Sequence, residues 1–190
     1  MKVATPGSMR SGVTGGSAEL ARIYREHREA LLQYLHYLCR GRSHQAEDLM
    51  QEAFLRFWEY RKENLTAGLG SSDAVRGLLL KYGRNLWSNW RKHEQVRERH
   101  SEVLARGQKE TGPASEGPTL EQRELERAVE HAVIALPDDL REVFLLQRYQ
   151  GWTYARIAEL LEIAPATVAW RMQQALAFLK DRLRAFLMEA

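Results

Sequence analysis

The chain has 190 residues, with 28 Lys and Arg against 25 Asp and Glu, for a formal net charge of +3. That length holds one domain or two small ones. Its single cysteine, Cys39, excludes an internal disulfide and fits a reducing, cytoplasmic setting, and no apolar run approaches the ~20 residues that a bilayer span needs.

Residues 1–17 are small, polar and Gly-rich, without the apolar core of a signal peptide, and predict a disordered tail. Strand signals are almost absent from the rest of the chain, so the expected fold class is all-α. Residues 18–40 carry Leu20, Ile23, Tyr24, His27, Leu31, Tyr34, Leu35 and Leu38 on one helical face, and Gly41 ends that helix. Ser43 is placed to cap a second helix that runs to about residue 62. A Gly/Ser-rich loop, 64–73, leads to a third helix over about 74–99, capped by Ser72 or Asp73. Residues 101–119 are rich in Gly, Pro and charge and poor in apolar side chains, which predicts a flexible linker between two domains, 18–100 and 120–188. Helix resumes at about 120, stops before Pro137, and continues over about 138–149.

Residues 152–186 predict a helix-turn-helix. Thr153 can cap a helix with Ile157, Ala158, Leu160 and Leu161 inward, and Pro165 suits the start of the next, since it lacks the N–H that a first turn leaves unpaired. The second helix carries Val168, Met172, Ala175, Leu176 and Leu179 as an apolar stripe, leaving Thr167, Trp170, Arg171, Gln173 and Gln174 outward. That arrangement suits reading a major groove; an ordinary helical hairpin has the same pattern.

The second helix packs Ala46, Leu49, Met50, Ala53, Phe54 and Phe57 on one face. Its opposite stripe holds Asp48, Gln51, Glu52, Leu55 and Glu59. A leucine among acids is either a protein-contact surface or part of a solvated face. The third helix is basic, with Arg76, Lys81, Arg84, Arg91, Lys92, Arg97 and Arg99 around Asn85, Trp87, Ser88, Asn89 and Trp90. Cations for phosphates and aromatics for bases suit single-stranded DNA, while the spacing of Val75, Leu79, Tyr82, Leu86 and Trp90 suits a core stripe. On that spacing Trp90 belongs mainly to the core and Trp87 to either.

Three blocks resemble the bacterial sigma-70 factors, and the small extracytoplasmic-function (ECF) group in particular. They are Ala46–Trp58, Arg76–Arg91, and Ala135-Leu136-Pro137 through Arg141, Val143–Leu146 and Gly151–Tyr154 to Ile157-Ala158. The resemblance implies sigma domain 2 over 18–100 and sigma domain 4, with its helix-turn-helix, over 120–188. It implies that Asp48, Gln51, Glu52, Leu55 and Glu59 dock on the clamp helices of core RNA polymerase, and that domain 4 meets the β-flap. It further implies that Arg84, Asn85, Trp87, Ser88, Arg91 and Lys92 line the melted −10 strand of promoter DNA, with loop 64–72 capturing a flipped base. Contacts to the −35 duplex fall to Thr153, Tyr154, Arg156, Thr167, Trp170, Arg171, Gln173 and Gln174. An anti-sigma factor is the expected regulatory partner.

The recognition helix departs from the family. Ala169 and the two glutamines stand where cations are common, and Glu162 stands where the turn usually has glycine. Arg171 is kept and can read guanine or hold a phosphate. No cofactor, catalytic site or metal site is expected: His36 and Cys39 share a helical face, but His44 lies beyond Gly41 and a fourth ligand is missing. Two other readings compete. One is a helix-turn-helix regulator whose N-terminal half senses or dimerises, and the other is a helical adaptor with no DNA role.

Overall fold

The computed structural model describes residues 11–64, 70–100 and 120–189, with side chains placed within 18–64, 70–94 and 123–184. Seven helices and no strand are found among the described residues: α1 (Ser11–Leu38), α2 (Ser43–Glu63), α3 (Ser72–His100), α4 (Leu120–Ala135), α5 (Asp138–Arg148), α6 (Tyr154–Leu161) and α7 (Pro165–Glu189). None of these helices is long and apolar enough to cross a membrane.

Helices α1, α2 and α3 pack on one another as a three-helix bundle. Its core takes Ile23, Leu31, Leu35 and Leu38 from α1, all six expected α2 residues, and Val75, Leu79, Leu80 and Leu86 from α3. Gly83 lets α3 approach α1 closely, because a Cβ there would come within 3.1 Å of Leu31 and 3.4 Å of Leu35. In the second half, α7 packs against α4, α5 and α6 around Val133, Leu136, Val143, Leu146, Ile157, Val168, Met172 and Ala175. Chain reversal after α5 uses Gly151 at φ +67, a conformation that favours a residue without Cβ.

Several boundaries differ from expectation. Helix α1 begins at Ser11, so residues 11–17 of the expected tail are helical despite Gly15 and Gly16; no proline lies between them and the amphipathic stretch, and each added residue extends a helix already nucleated. Residues 1–10, the expected linker 101–119 and loop residues 65–69 lie outside the described residues. Ser43 does not cap α2: Arg42 holds that position without a side-chain bond, and the Ser43 hydroxyl lies 3.5 Å from His36 Nδ1. The α3 cap sits one residue earlier than expected, where Ser71 Oγ accepts from the Ala74 N–H at 3.2 Å. Thr153 caps α6 as expected, accepting from the Arg156 N–H at 3.4 Å.

The two halves are packed together. Helix α1 touches α4 and α5, and the Tyr37 and Tyr149 rings meet at 5.3 Å between centroids. Arg141 of α5, fully buried, donates to the carbonyls of Tyr37 at 3.0 Å and Leu38 at 3.3 Å, and so satisfies the C-terminal end of α1 from the other half of the molecule.

Candidate nucleic-acid and polymerase interfaces

The outer face of α2 follows from its core face. With Ala46, Leu49, Met50, Ala53, Phe54 and Phe57 buried, the 3.6-residue period turns Asp48, Gln51, Leu55 and Glu59 to solvent. Glu52 is half-buried and accepts from Arg56 Nε at 2.9 Å, one turn on. Leu55 is 59% exposed among these acids, and Tyr60 is exposed at the end of the helix.

The face of α3 is less open than its composition suggests. Trp87 is only 6% exposed and donates from Nε1 to the Leu38 carbonyl at 3.0 Å. It is a core residue, which corrects its placement on the melted strand. Trp90, expected inward, is half-buried and lies under the Arg42 guanidinium at 5.4 Å. The difference arises because the end of α1, whose last carbonyls lack partners within the helix, packs on the Trp87 side of α3. Asn85 and Lys92 are exposed and Ser88 is half-buried. Arg84 and Arg91 do not stand free. Arg84 Nε donates to Glu142 at 2.7 Å and Arg91 Nε to Asp138 at 2.6 Å, both from α5.

These acids belong to a charge cluster between the halves. Asp138 also accepts from Arg40 at 2.8 Å and from Arg141. Burial alone would raise the Asp138 carboxyl, but the hydrogen bonds from Arg40 and Arg91 and the nearby Arg141 charge prevail, and its pKa is lowered. Burial raises Glu142 despite the attraction of Arg84. Arg141 is lowered to about 10, chiefly by burial, against the pull of Asp138.

In the helix-turn-helix, Glu162 links α6 to α7 in the left-handed conformation, φ 56° and ψ 42°, where the resemblance expects glycine. Along α7, Val168, Met172, Ala175 and Leu179 are buried as expected, but Leu176 is 53% exposed at the edge of the stripe. Trp170 is 56% exposed, and Gln173 and Gln174 are exposed beside it. Thr167 is half-buried, as is Arg171, which lies 3.5 Å from Asp139. Tyr154 and Thr153 are exposed at the start of α6. Arg156 does not face outward. Its guanidinium carbon lies over the Trp152 ring, 3.9 Å from the centroid, and it donates to the Asp73 carboxylate at 2.5 Å, so the structure turns it toward α3.

His36 pairs with Glu130 at 3.3 Å, and burial pushes the Cys39 thiol up to about 12. No group of three metal-ligating side chains is found among the described residues. The residues that sequence reasoning missed are Arg40, Asp138 and Glu142, which join the halves. The acids at the start of α5 were visible, but they fit the ordinary preference of a helix N-terminus for negative charge.

The chain matches two family models, sigma-70 region 2 over residues 23–65 and sigma-70 region 4 over residues 126–179. It is 30% identical over 177 residues to the ECF RNA polymerase sigma factor SigL of Mycobacterium tuberculosis, covering 92% of this chain and 94% of that one. It is 31% identical over 140 residues to the probable RNA polymerase sigma factor RfaY of Xanthomonas campestris, but spans only 34% of that protein's length. Two solved structures share the fold. One is the sigma factor RpoE in complex with the anti-sigma factor NepR from Bartonella quintana, with TM-score 0.68 and 22% identity, covering 90% of this chain and 98% of that one. The other is CnrH in complex with the cytosolic domain of CnrY, with TM-score 0.59 and 19% identity, covering 90% and 92%.

Proposed function

The chain belongs to the extracytoplasmic-function group of the sigma-70 RNA polymerase sigma factors, and from this premise we propose that it binds core RNA polymerase in the cytoplasm, recognises −35 and −10 promoter elements and starts transcription. The observation that carries the reading is the pairing of region 2 and region 4 in one chain, with an exposed leucine-and-acid stripe on the first. The outer face of α2, namely Asp48, Gln51, Glu52, Leu55 and Glu59, is the core-binding surface. On α3, Arg84, Asn85, Ser88, Arg91 and Lys92 hold the melted −10 strand; Trp87 supports them from the core. On the second half, Thr153, Tyr154, Thr167, Trp170, Arg171, Gln173 and Gln174 address the −35 duplex, and Arg156 joins them only if it leaves Asp73. The role is recognition, and nucleotide transfer belongs to the polymerase. An anti-sigma factor is the proposed regulator, because the two solved relatives are held by partners of which one is named as such. A plain helix-turn-helix regulator is disfavoured, since its N-terminal half has no reason to match region 2.

The test is charge reversal on α2. Asp48→Lys with Glu52→Lys should abolish competition for core polymerase while the fold survives. Exposed substitutions cost within about 0.5 kcal/mol, and the like-charge repulsion that Glu52→Lys sets up against Arg56 adds about 0.3–0.5 kcal/mol. A folded double variant that competes as well as wild type removes this face from the interface.

A further inference from the structure

Helix α5 opens with Asp138 and Asp139 and carries Glu142 one turn on. Their partners give them a role beyond the helix dipole. Glu142, 7% exposed in its side chain, takes Arg84, and Asp138 takes Arg91, Arg40 and Arg141. Arg84 and Arg91 are the α3 cations assigned above to the melted strand. A guanidinium whose Nε–H donates to a carboxylate cannot turn that donor to a phosphate, and its charge is already balanced by the carboxylate. A second contact zone lies at the start of α3, where Arg156 reaches Asp73 and Arg76 donates to the Gln150 carbonyl. Gly77 faces that zone: a Cβ there would come within 2.9 Å of Arg156 Nη2 and 3.9 Å of the Trp152 ring.

Distance separates this packed form from the promoter-bound one. Elements centred at −35 and −10 lie roughly 25 base pairs apart, about 85 Å of duplex at 3.4 Å per step. A compact chain of 190 residues has a radius of gyration of about 16 Å. The packed halves cannot meet both elements at once.

We propose that the free chain holds itself closed by a charge latch, in which Asp138 and Glu142 occupy Arg91 and Arg84 in place of strand phosphates, so that closure and −10 strand binding exclude one another. The proposal rests on the assignment of α3 to the melted strand. A closed form favoured about 99 to 1 would weaken apparent strand affinity about 100-fold, because only the open fraction binds.

Two full-chain variants open the latch by different means. Asp138→Asn with Glu142→Gln removes the anions, and Gly77→Leu wedges the second contact zone without changing charge. Radius of gyration is measured by small-angle scattering, helix content by circular dichroism, and affinity for a fluorescent 20-nucleotide oligothymidylate by anisotropy. Both variants should expand with helix content kept, and both should bind the oligonucleotide about tenfold or more tightly than wild type. Glu29→Gln with Glu47→Gln, which removes two exposed acids elsewhere, should stay compact and gain far less. Arg84→Ala with Arg91→Ala, added to Gly77→Leu, should lose the gain. If both opening variants stay compact, or expand without binding more tightly while the arginine pair still matters, the latch is overturned and the strand assignment stands. If the arginine pair makes no difference in the expanded chain, the strand assignment falls and takes the latch with it.

Discussion

Leu55 offers the sharpest test of the polymerase interface, because it separates contact from fold. It is 59% exposed on α2, flanked by Asp48, Gln51, Glu52 and Glu59. Burying a whole leucine side chain is worth about 1.5–3 kcal/mol, so covering the exposed 59% would contribute about 0.9–1.8 kcal/mol to docking. Leu55→Ala should then weaken core binding roughly 5- to 20-fold, at 1.4 kcal/mol per factor of ten. The part of the residue already covered by the protein is the smaller one, so the loss in stability should be no more than about 0.6–1.2 kcal/mol. The assay is equilibrium competition for core polymerase against labelled wild-type chain, with thermal unfolding of the free variant alongside. A variant that melts normally and competes as well as wild type would refute the claim that this stripe is covered by polymerase. A variant that melts far lower would show that Leu55 belongs to the core of the bundle, against its exposure here.

The left-handed turn at Glu162 costs about 1–2 kcal/mol in a residue with a side chain, so Glu162→Gly should raise stability by up to about 1 kcal/mol after the added unfolded-state freedom of glycine. Denaturant titration checks it, and no gain would mean that the turn is relaxed by other contacts. His27 is buried, and burial lowers its pKa against the pull of Glu26 and with the help of Arg76 and Arg22. The unfolded chain therefore takes up a proton as pH falls through about 6.5 while the folded chain resists, so this component of stability is complete above 6.5 and is lost as pH drops toward the lower folded pKa. Unfolding free energies at pH 7.5 and 5.5 should show that loss in wild type and less of it in His27→Gln. Arg171→Ala should weaken −35 duplex binding, lowering the log–log salt slope by about 0.9 if Arg171 holds a phosphate, or costing about 1–3 kcal/mol of discrimination at one base pair if it reads an edge. Unchanged affinity and unchanged preference would remove it from the site.

Helix order and the inward faces of α1, α2, α6 and most of α7 were legible in the sequence, because a helix with one buried side prints a 3.6-residue period. Helix α3 was not legible in the same way, since it is covered on more than one side. Leu79 and Leu86 face the bundle, Trp87 faces the end of α1, and Arg84 and Arg91 face α5. A single stripe drawn through Val75, Leu79, Tyr82, Leu86 and Trp90 could not register that: it placed Trp90 in the core, where it is only half-buried, and left open Trp87, which is the more buried of the two. Leu176 fell out of the core for a milder reason: it sits between the buried Ala175 and the exposed Ala177 on a helix whose apolar stripe is narrow. The contacts between halves join residues 58 apart for Arg84 and Glu142 and 83 apart for Arg156 and Asp73. Periodicity carries no information on pairings at that separation. Arg156 was thus expected on the DNA side because its position in α6 allows it, while the flat face of Trp152 and the Asp73 carboxylate hold it on the other.

Closure treats the two DNA surfaces unequally. Trp170, Gln173 and Gln174 remain exposed in the packed form, whereas Arg84 and Arg91 are engaged by α5. The proposed −35 face is therefore open to duplex at all times, and the proposed −10 face only after the halves part. The exposed face is also nearly uncharged, with Arg171 at its side and paired to Asp139. Few phosphates are neutralised there, so duplex docking by this face should be weak and shallow in its salt dependence. Strand binding by α3 responds to salt through two effects that act in opposite directions. Added salt weakens the guanidinium–phosphate contacts, and it also weakens the ion pairs that keep the chain closed. For the free chain the second effect opposes the first, and the observed slope falls below the count of phosphates held. In the Gly77→Leu chain, where closure no longer competes, the slope should recover its full value. That difference between two slopes on the same oligonucleotide separates a latch made of charge from one made of packing, which would leave them equal.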